Sequence, residues 1–422
     1  MAINGGKKGR KAHRGGVFAA LDVGSSKVCC FIARADDAGA ARVIGVGHQS
    51  SHGVRAGAIV DMEAAEAAIG NAVHTAERMA GETIHSLLVN VSGGQPTSRT
   101  ITVEVAVTEA EVSDTDLSRA MAHTRAQYQG GDNELLHAIP VNYALDGSRG
   151  IRDPRGMSGD RLGVHMHLVT AGVGPIRNLT TCISRCHLDI DALVVSPYAS
   201  ALACLVEDEM DLGVTCIDMG GGTTTLSVFL EGSLVHTDCL PVGGSHVTND
   251  IARGLTTPVV LAERMKILHG HARATSADER EMIDVPQVGE DESGHGNRVP
   301  KSTLVGIIQP RLEEIFELSR SRLEHSGFGR IAGRRVVLTG GASQLPGTRE
   351  LAQEVLDKQV RLGRPARIGG LAEATGGPAF SVVAGLLLHA VRRPAEMALR
   401  MPLMPPPAGL FGRVGIWLRE NI

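Results

Sequence analysis

Aromatic residues make up only 3% of this 422-residue chain, with seven Phe, three Tyr and a single Trp. Paired cysteines are also missing. The seven Cys are an odd number without a CxxC pair. The Cys182/Cys186 spacing and the adjacent Cys29-Cys30 fit neither a zinc knuckle nor a disulfide framework, so a reduced cytosolic compartment is expected. No apolar run approaches the ~20 residues that cross a bilayer. The longest, AFSVVAGLLLHAV (Ala379–Val391), reads as a buried helix. No signal peptide is visible either, because the apolar stretch after the basic MAINGGKKGRKAHRGG is broken at once by Asp22 and Lys27. Nor is there an excess of positive charge: the net charge of −4 gives no support for a nucleic-acid binder. What remains, 43% hydrophobic and 21% charged, is the composition of an ordinary soluble protein with length for two domains, cytoplasmic or peripheral on a membrane.

What is present is a repeated pattern. Residues 1–16 are Gly- and Lys/Arg-rich and read as a disordered basic arm. Three β-like runs follow, VFAALDV (17–23), VCCFIARA (28–35) and RVIGVGH (42–48), and then an amphipathic helix over 61–81 with Ala65, Ala68, Ile69, Ala72, Val73 and Ala76 on one face. The same order recurs as VTCIDMG (214–220), TTLSVFL (224–230), SLVHTDCL (233–240) and a helix from Gly243-Gly244. Aligning the halves puts Asp22 on Asp218, Gly24 on Gly220 and Ser25 on Gly221, the mark of an internal duplication. The expected class is α/β, with a duplicated β-meander/α core. One core domain takes 17–84 and 166–212, the other 213–254 and 330–392. A small α/β insertion occupies 85–165 and a helical subdomain 255–329, with a polar loop at 284–300. A Pro-rich linker (393–407) leads to a tail (408–422).

The chemistry gathers at the strand ends. In LDVGSSK, Asp22 closes a strand before a turn of small residues, and IDMGGGTTT repeats this with Asp218. Turns built from Gly24 and from Gly220, Gly221 and Gly222 leave backbone N–H groups unscreened, as a phosphate chain requires. Ser25, Ser26, Thr223 and Thr224 add hydroxyls and Lys27 an ammonium. Two facing carboxylates, Asp22 and Asp218, can hold a hydrated Mg²⁺ through its waters. Alone, DxGxxxx is more often a plain β-turn; the duplicated pair is the stronger signal. A third element, RVVLTGGASQLPG (Arg335–Gly347), is a strand ending in Gly340-Gly341, with Ser343 in the turn and a helix expected from about Leu345. Adjacent glycines there admit a flat ligand close to the backbone.

In order, these motifs resemble phosphate 1, phosphate 2 and the adenosine motif of the actin, heat-shock chaperone and sugar kinase superfamily, with SPYASALACLV (196–206) as the connecting helix. Glu263 and Lys266 in LAERMKILHG share a helix face and, on that resemblance, reach the ribose and adenine; by themselves they read as a surface ion pair. Within the superfamily the chain from Val17 to Ile422 resembles the FtsA family. HAIPVNYALDG (137–147), IRDPRGMSGDRLGVHMHLVTA (151–171), GVGHQSSHGVRAGAIVDMEAA (45–65) and HGHA with DVPQVGE carry this resemblance. It implies an actin homologue that binds ATP with Mg²⁺ and polymerises on the cytoplasmic side of the inner membrane at the division site. It also implies binding of the FtsZ C-terminal peptide through 255–329 and of later division proteins through 85–165. No residue is nominated as catalytic, and hydrolysis is at most weak. The alternatives are a small-molecule kinase of the same fold, a PilM-type pilus protein, against which the tail argues, and an MreB-type actin, against which the insertion argues. The pairs His165/His167 and His269/His271 bring no third metal ligand into view.

The single Trp belongs to the tail. At about 100° per residue, Leu410, Phe411, Val414, Trp417, Leu418 and Ile422 gather in one stripe, with Arg413, Arg419 and Glu420 outside it and Ile416 the misfit. This suits a helix lying in the headgroup plane. The other reading is a helix packed on its own domain, against which the Pro-rich linker argues. Burial of each apolar side chain contributes about 1.5–3 kcal/mol. Partial immersion and helix ordering leave a weak, reversible anchor that a filament multiplies through avidity.

Overall fold

The structure is a computed structural model and describes residues 16–35, 40–128, 131–289, 297–366 and 368–392, with the side chain of Arg392 left out. Most of residues 1–16 and all of 393–422 lie outside the described residues, so the basic arm, the linker and the amphipathic tail do too.

Two five-stranded sheets share one topology. In the first, Val17–Val23 lies at the centre, antiparallel to Lys27–Ala35 and parallel to Ser86–Val91; Ala41–Ser50 and Asp189–Val195 are the edges. In the second, Val214–Met219 takes the centre, antiparallel to Thr224–Leu230 and parallel to Arg335–Thr339, with edges Ser233–Leu240 and Gln359–Leu362. Both central strands are buried almost throughout. A strand covered on both faces must be a continuous apolar run, which is why VFAAL and VTCIDM lack the alternation of a half-exposed strand. The polar Asp22 and Asp218 come only where each strand runs out.

The helix Met62–Ala80 covers the first sheet and buries the six residues expected from its periodicity. Asp61 caps its start, accepting from the Ala64 N–H at 3.1 Å, and Gly81 in the left-handed conformation ends it. Between the sheets runs Ser196–Cys204, buried at every residue. Against it lies Ser381–Arg392, the buried helix expected from AFSVVAGLLLHAV. A Cβ on Gly385 would come within 1.7 Å of the Ala199 carbonyl oxygen, so the two backbones touch only because that position has no side chain.

A four-stranded sheet (Thr97–Ala106, Arg161–Gly172, Asn133–Leu145, Ser148–Ile151) and the helix Asp114–Gln127 form the insertion. They have their own small core around Val103, Met121, Leu162, Met166 and Leu168. This unit also touches the second sheet. The Ser98 hydroxyl accepts from Thr237 N–H at 2.8 Å and donates to the Thr237 carbonyl at 2.9 Å, while the Ser233 hydroxyl donates to the Val141 carbonyl at 3.0 Å.

Two local expectations change. The polar stretch 284–300 is not loop throughout, because Met282–Val285 pairs antiparallel with Asn297–Pro300 and buries Ile283 and Val285. The helix after Gly340-Gly341 starts at Thr348 rather than near Leu345. A 3-10 turn, Gly341–Gln344, comes first, and Gly347 at φ 81° redirects the chain.

Candidate functional site

The equivalence of the two halves extends to their turns. Gly24 N–H donates to the Lys27 carbonyl at 3.0 Å, and Gly220 N–H donates to the Thr223 carbonyl at 2.9 Å. These matching hairpins meet face to face. A Cβ on Gly222 would lie 2.4 Å from the Ser25 hydroxyl, and one on Gly221 would lie 2.9 Å from the Ser26 side chain. Any larger residue would close the gap that the glycines keep open.

Between the hairpins lies a cavity of about 520 Å³. Asp22, Gly24, Ser25, Ser26 and Lys27 line it from the first half, and Asp218, Gly220, Gly221, Gly222 and Thr223 from the second. Gly340 and Gly341 form a third side, and Glu263 and Lys266 a fourth. Gly340, at φ 88°, passes so close to Asp218 that a Cβ would be 2.3 Å from the carboxylate.

Two nominated residues do not line it. The Thr224 hydroxyl is buried and donates to the Val242 carbonyl at 2.8 Å. Ser343 is buried and donates to the Gly340 carbonyl at 2.7 Å. Ser343 locks the turn at Gly340 and Thr224 ties the start of its strand to the segment before Gly243, and neither lines the cavity. Thr224 follows from strand alternation: it begins a strand in which successive side chains point to opposite faces, so it cannot face the same way as its neighbour.

Burial dominates the electrostatics of the cavity. Burial raises Asp22 to about 6, with Lys27 partly opposing the rise. Burial raises Asp218 to about 7, and the neighbouring charge of Asp22 pushes it the same way. Burial also lowers Lys27, whose ammonium donates to the Ala379 carbonyl and sits 3.6 Å from the centroid of the Phe380 ring. A buried carboxylate pair of this kind takes a cation readily, and with only two carboxylates the cation keeps its waters, as Mg²⁺ does. Glu263 and Lys266 form the ion pair expected from their spacing, at 2.7 Å, and also line the cavity. Lys266 also donates to the Gly244 carbonyl at 3.1 Å and to the Thr248 hydroxyl at 2.9 Å, which ties the two helices on that side.

Comparison with known proteins decides the family. A model described as "Cell division protein FtsA" matches residues 215–385, and one described as "SHS2 domain inserted in FTSA" matches 93–170. "Cell division protein FtsA" of Agrobacterium fabrum is 45% identical over 424 residues, covering 97% of this chain and 96% of that protein. The chain belongs to the FtsA family. The Escherichia coli K12 FtsA is 33% identical over 414 residues, covering 95% of this chain and 97% of its own length. Among solved structures, the "PilM-PilN type IV pilus biogenesis complex" superposes with TM-score 0.63 at 17% identity, covering 89% of this chain and 98% of that one. MreB5 of Spiroplasma citri, solved bound to AMPPNP, gives 0.53 at 15% identity, covering 91% and 99%. At such identities these likenesses speak for the fold alone, and that fold is actin-like.

In this FtsA-family chain several cavity residues escaped the sequence reading. Asn90 accepts from Val23 N–H at 2.7 Å and donates to the Ser196 hydroxyl at 3.1 Å, pinning the first hairpin to the linking helix. Its signal was available as the one polar residue inside the apolar run LLVNV (87–91). Ser245, Gln344 and Ala379 also line the cavity, and nothing local in the sequence marks them.

Proposed function

We propose that this FtsA-family protein binds ATP with Mg²⁺ in the cleft between the two hairpins, polymerises on the cytoplasmic face of the inner membrane, and tethers FtsZ filaments there. The observation that carries the reading is the paired hairpins, each with a buried carboxylate and bare backbone, meeting across one cavity beside a glycine turn. Gly24 with Ser25, and Gly220 with Gly222, would hold the phosphates; Lys27 would neutralise them; Asp22 and Asp218 would hold the hydrated ion; and Gly340-Gly341, with Glu263 and Lys266, would flank the nucleoside. Contacts from both hairpins to one nucleotide, with Asp22 and Asp218 facing its hydrated ion, would favour the closed hinge state and so the polymer. No side chain lining the cavity is assigned to activate water, and nucleotide is read as a switching ligand.

In the proposed division of labour, 85–165 contacts later division proteins and 255–329 takes the FtsZ C-terminal peptide. Residues 17–84 with 166–212, and 213–254 with 330–392, form the two core domains. The segment Ala408–Ile422 is the reversible membrane anchor, weak singly and strengthened by repetition along a filament.

Pelleting with anionic lipid vesicles tests this, with and without ATP and with and without residues 408–422. Binding is expected to need the tail, to rise with ATP, and to fall sharply in a variant that cannot polymerise. Binding that survives removal of the tail would end the anchor assignment.

A further inference from the structure

Beside Asp22 and Asp218, the cavity between the hairpins is lined by three neutral polar side chains, Asn90, Ser196 and Thr225, all buried. Their hydrogen-bonding capacity is only partly used. The Val23 N–H can only donate, so the Asn90 amide turns its oxygen to it at 2.7 Å and its nitrogen to the Ser196 hydroxyl at 3.1 Å. Ser196 therefore accepts from Asn90, and its own proton has no acceptor among the described residues. One N–H of the Asn90 amide is likewise uncommitted. Thr225 stands opposite Asp218 in the strand pairing and is 3% exposed. Among the described residues its hydroxyl has no hydrogen-bond partner. A buried hydroxyl left unpaired weakens the fold, and this one lines the cavity.

The three residues come from three parts of the fold. Asn90 lies near the end of Ser86–Val91 in the first sheet, Ser196 opens the linking helix, and Thr225 lies in Thr224–Leu230 of the second sheet. One turn along the linking helix, the Ser200 hydroxyl is hydrogen-bonded to the Asp218 carboxylate. Neutral donors beside two carboxylates do not suit a bare anion, which the acids would repel. They suit an oxyanion that arrives with its own metal ion: the ion faces the carboxylates and the remaining oxygens take the donors. The head of the nine-residue linking helix adds the positive end of its dipole at Ser196. With the hairpin turns holding phosphates and Glu263, Lys266 and Gly340-Gly341 flanking the nucleoside, the group left for Asn90, Ser196 and Thr225 is the phosphate farthest from the nucleoside.

We propose that Asn90, Ser196 and Thr225 bind the terminal phosphate of a metal–nucleoside triphosphate, so that the site distinguishes ATP from ADP. The proposal rests on the reading of this cavity as an ATP site and adds to it the residues that count phosphates. ADP would leave the Thr225 hydroxyl and the Ser196 proton unpaired, whereas ATP pairs them. Thr225 is then a residue whose hydroxyl destabilises the nucleotide-free protein and stabilises the ATP-bound one. Because the three side chains stand on the first sheet, the linking helix and the second sheet, only the triphosphate joins all three. The hinge thereby responds to the number of phosphates as well as to the presence of a nucleotide.

Titration calorimetry of the full-length protein with Mg²⁺–ATP and with Mg²⁺–ADP tests this. The wild type is expected to bind ATP several-fold more tightly than ADP. Thr225→Val keeps the shape and removes the hydroxyl. It should lose roughly ten-fold or more in ATP affinity, the worth of a hydrogen bond to a charged group, with ADP affinity unchanged. Its nucleotide-free melting temperature should hold or rise, because the hydroxyl removed is unpaired. Ser196→Ala should also weaken ATP selectively, and Thr225→Ser, which keeps a hydroxyl, should retain the preference. Ser227→Ala removes another unpaired buried hydroxyl of the same strand, one that does not line the cavity, and should leave both affinities as they are. Equal wild-type affinities for ATP and ADP would overturn the proposal and leave the ATP reading standing. So would ATP affinity unchanged in Thr225→Val and Ser196→Ala, or losses equal for the two nucleotides. Inorganic phosphate that binds alone as tightly as ATP would also overturn it, by making the site one for free phosphate. A wild type that binds neither nucleotide would end both the proposal and the ATP reading.

Discussion

The Lys27 ammonium, from the first hairpin, is held by the turn that starts the C-terminal helix: it donates to the Ala379 carbonyl and lies 3.6 Å from the centroid of the Phe380 ring. The cation that would neutralise phosphate is therefore already engaged by neutral partners, and an anion in the cavity has to compete for it.

Lys27→Met is expected to weaken ATP binding by about 1.5–3 kcal/mol, the worth of a charge-assisted hydrogen bond. Phe380→Leu should act the other way. It removes a contact worth about 0.5–2 kcal/mol to the cation in the free state, so ATP affinity should stay level or rise. Titration calorimetry on both variants separates the cases. A large loss in Phe380→Leu would mean that the ring positions Lys27 instead of competing for it.

The carboxylate pair predicts a pH profile. Asp22 at about 6 and Asp218 at about 7 both lie above the 3.8 of a free Asp, so the folded state holds their protons more tightly than the unfolded chain. Stability from this source is complete below about 4 and is lost as pH rises through about 6 to 7. Without nucleotide, the melting temperature should carry a downward component across that window which Asp22→Asn/Asp218→Asn removes. On the proposed reading Mg²⁺–ATP would bind the ionised pair, so its thermal stabilisation should grow over the same window. Melting curves with and without Mg²⁺–ATP check both signs, and an identical profile in the double variant would refute the assignment.

Gly385→Ala places a methyl group where the Ala199 backbone already is, 1.7 Å from its carbonyl oxygen. Neither backbone can yield as a flexible side chain would. The two helices must part, at a cost of about 1–3 kcal/mol or more. Urea unfolding measures the loss; alanine at Gly70, where a Cβ would meet nothing within 4 Å, is the control and should be neutral or stabilising.

Much of this architecture could be read directly. The central strands, the buried face of Met62–Ala80 and the two aspartates at strand ends follow from short-range rules: continuous burial, helical period, and glycine where backbone must be bare. What could not be read depends on partners distant in sequence. Nothing near Lys27 shows that it will find Ala379, and although alternation turns Thr224 away from the cavity, nothing in GGGTTT names Val242 as its partner. The pairing of Met282–Val285 with Asn297–Pro300 was hidden by the polar stretch between them. The fit of Gly385 to Ala199 is a matter of two helices meeting, visible in sequence only as a taste for small residues.

The packing of Ser381–Arg392 bears on how the molecule is made. Val383, Ala384, Leu386 and Leu387 share one core with Leu21, Phe31 and Leu88 of the first sheet. The part of the chain that leaves the ribosome first therefore has its hydrophobic cover supplied by almost the last. At about 5–20 residues per second, the first sheet waits tens of seconds for this helix. A nascent chain cut short before residue 381 would present a long-finished sheet with one face uncovered, a substrate for chaperones.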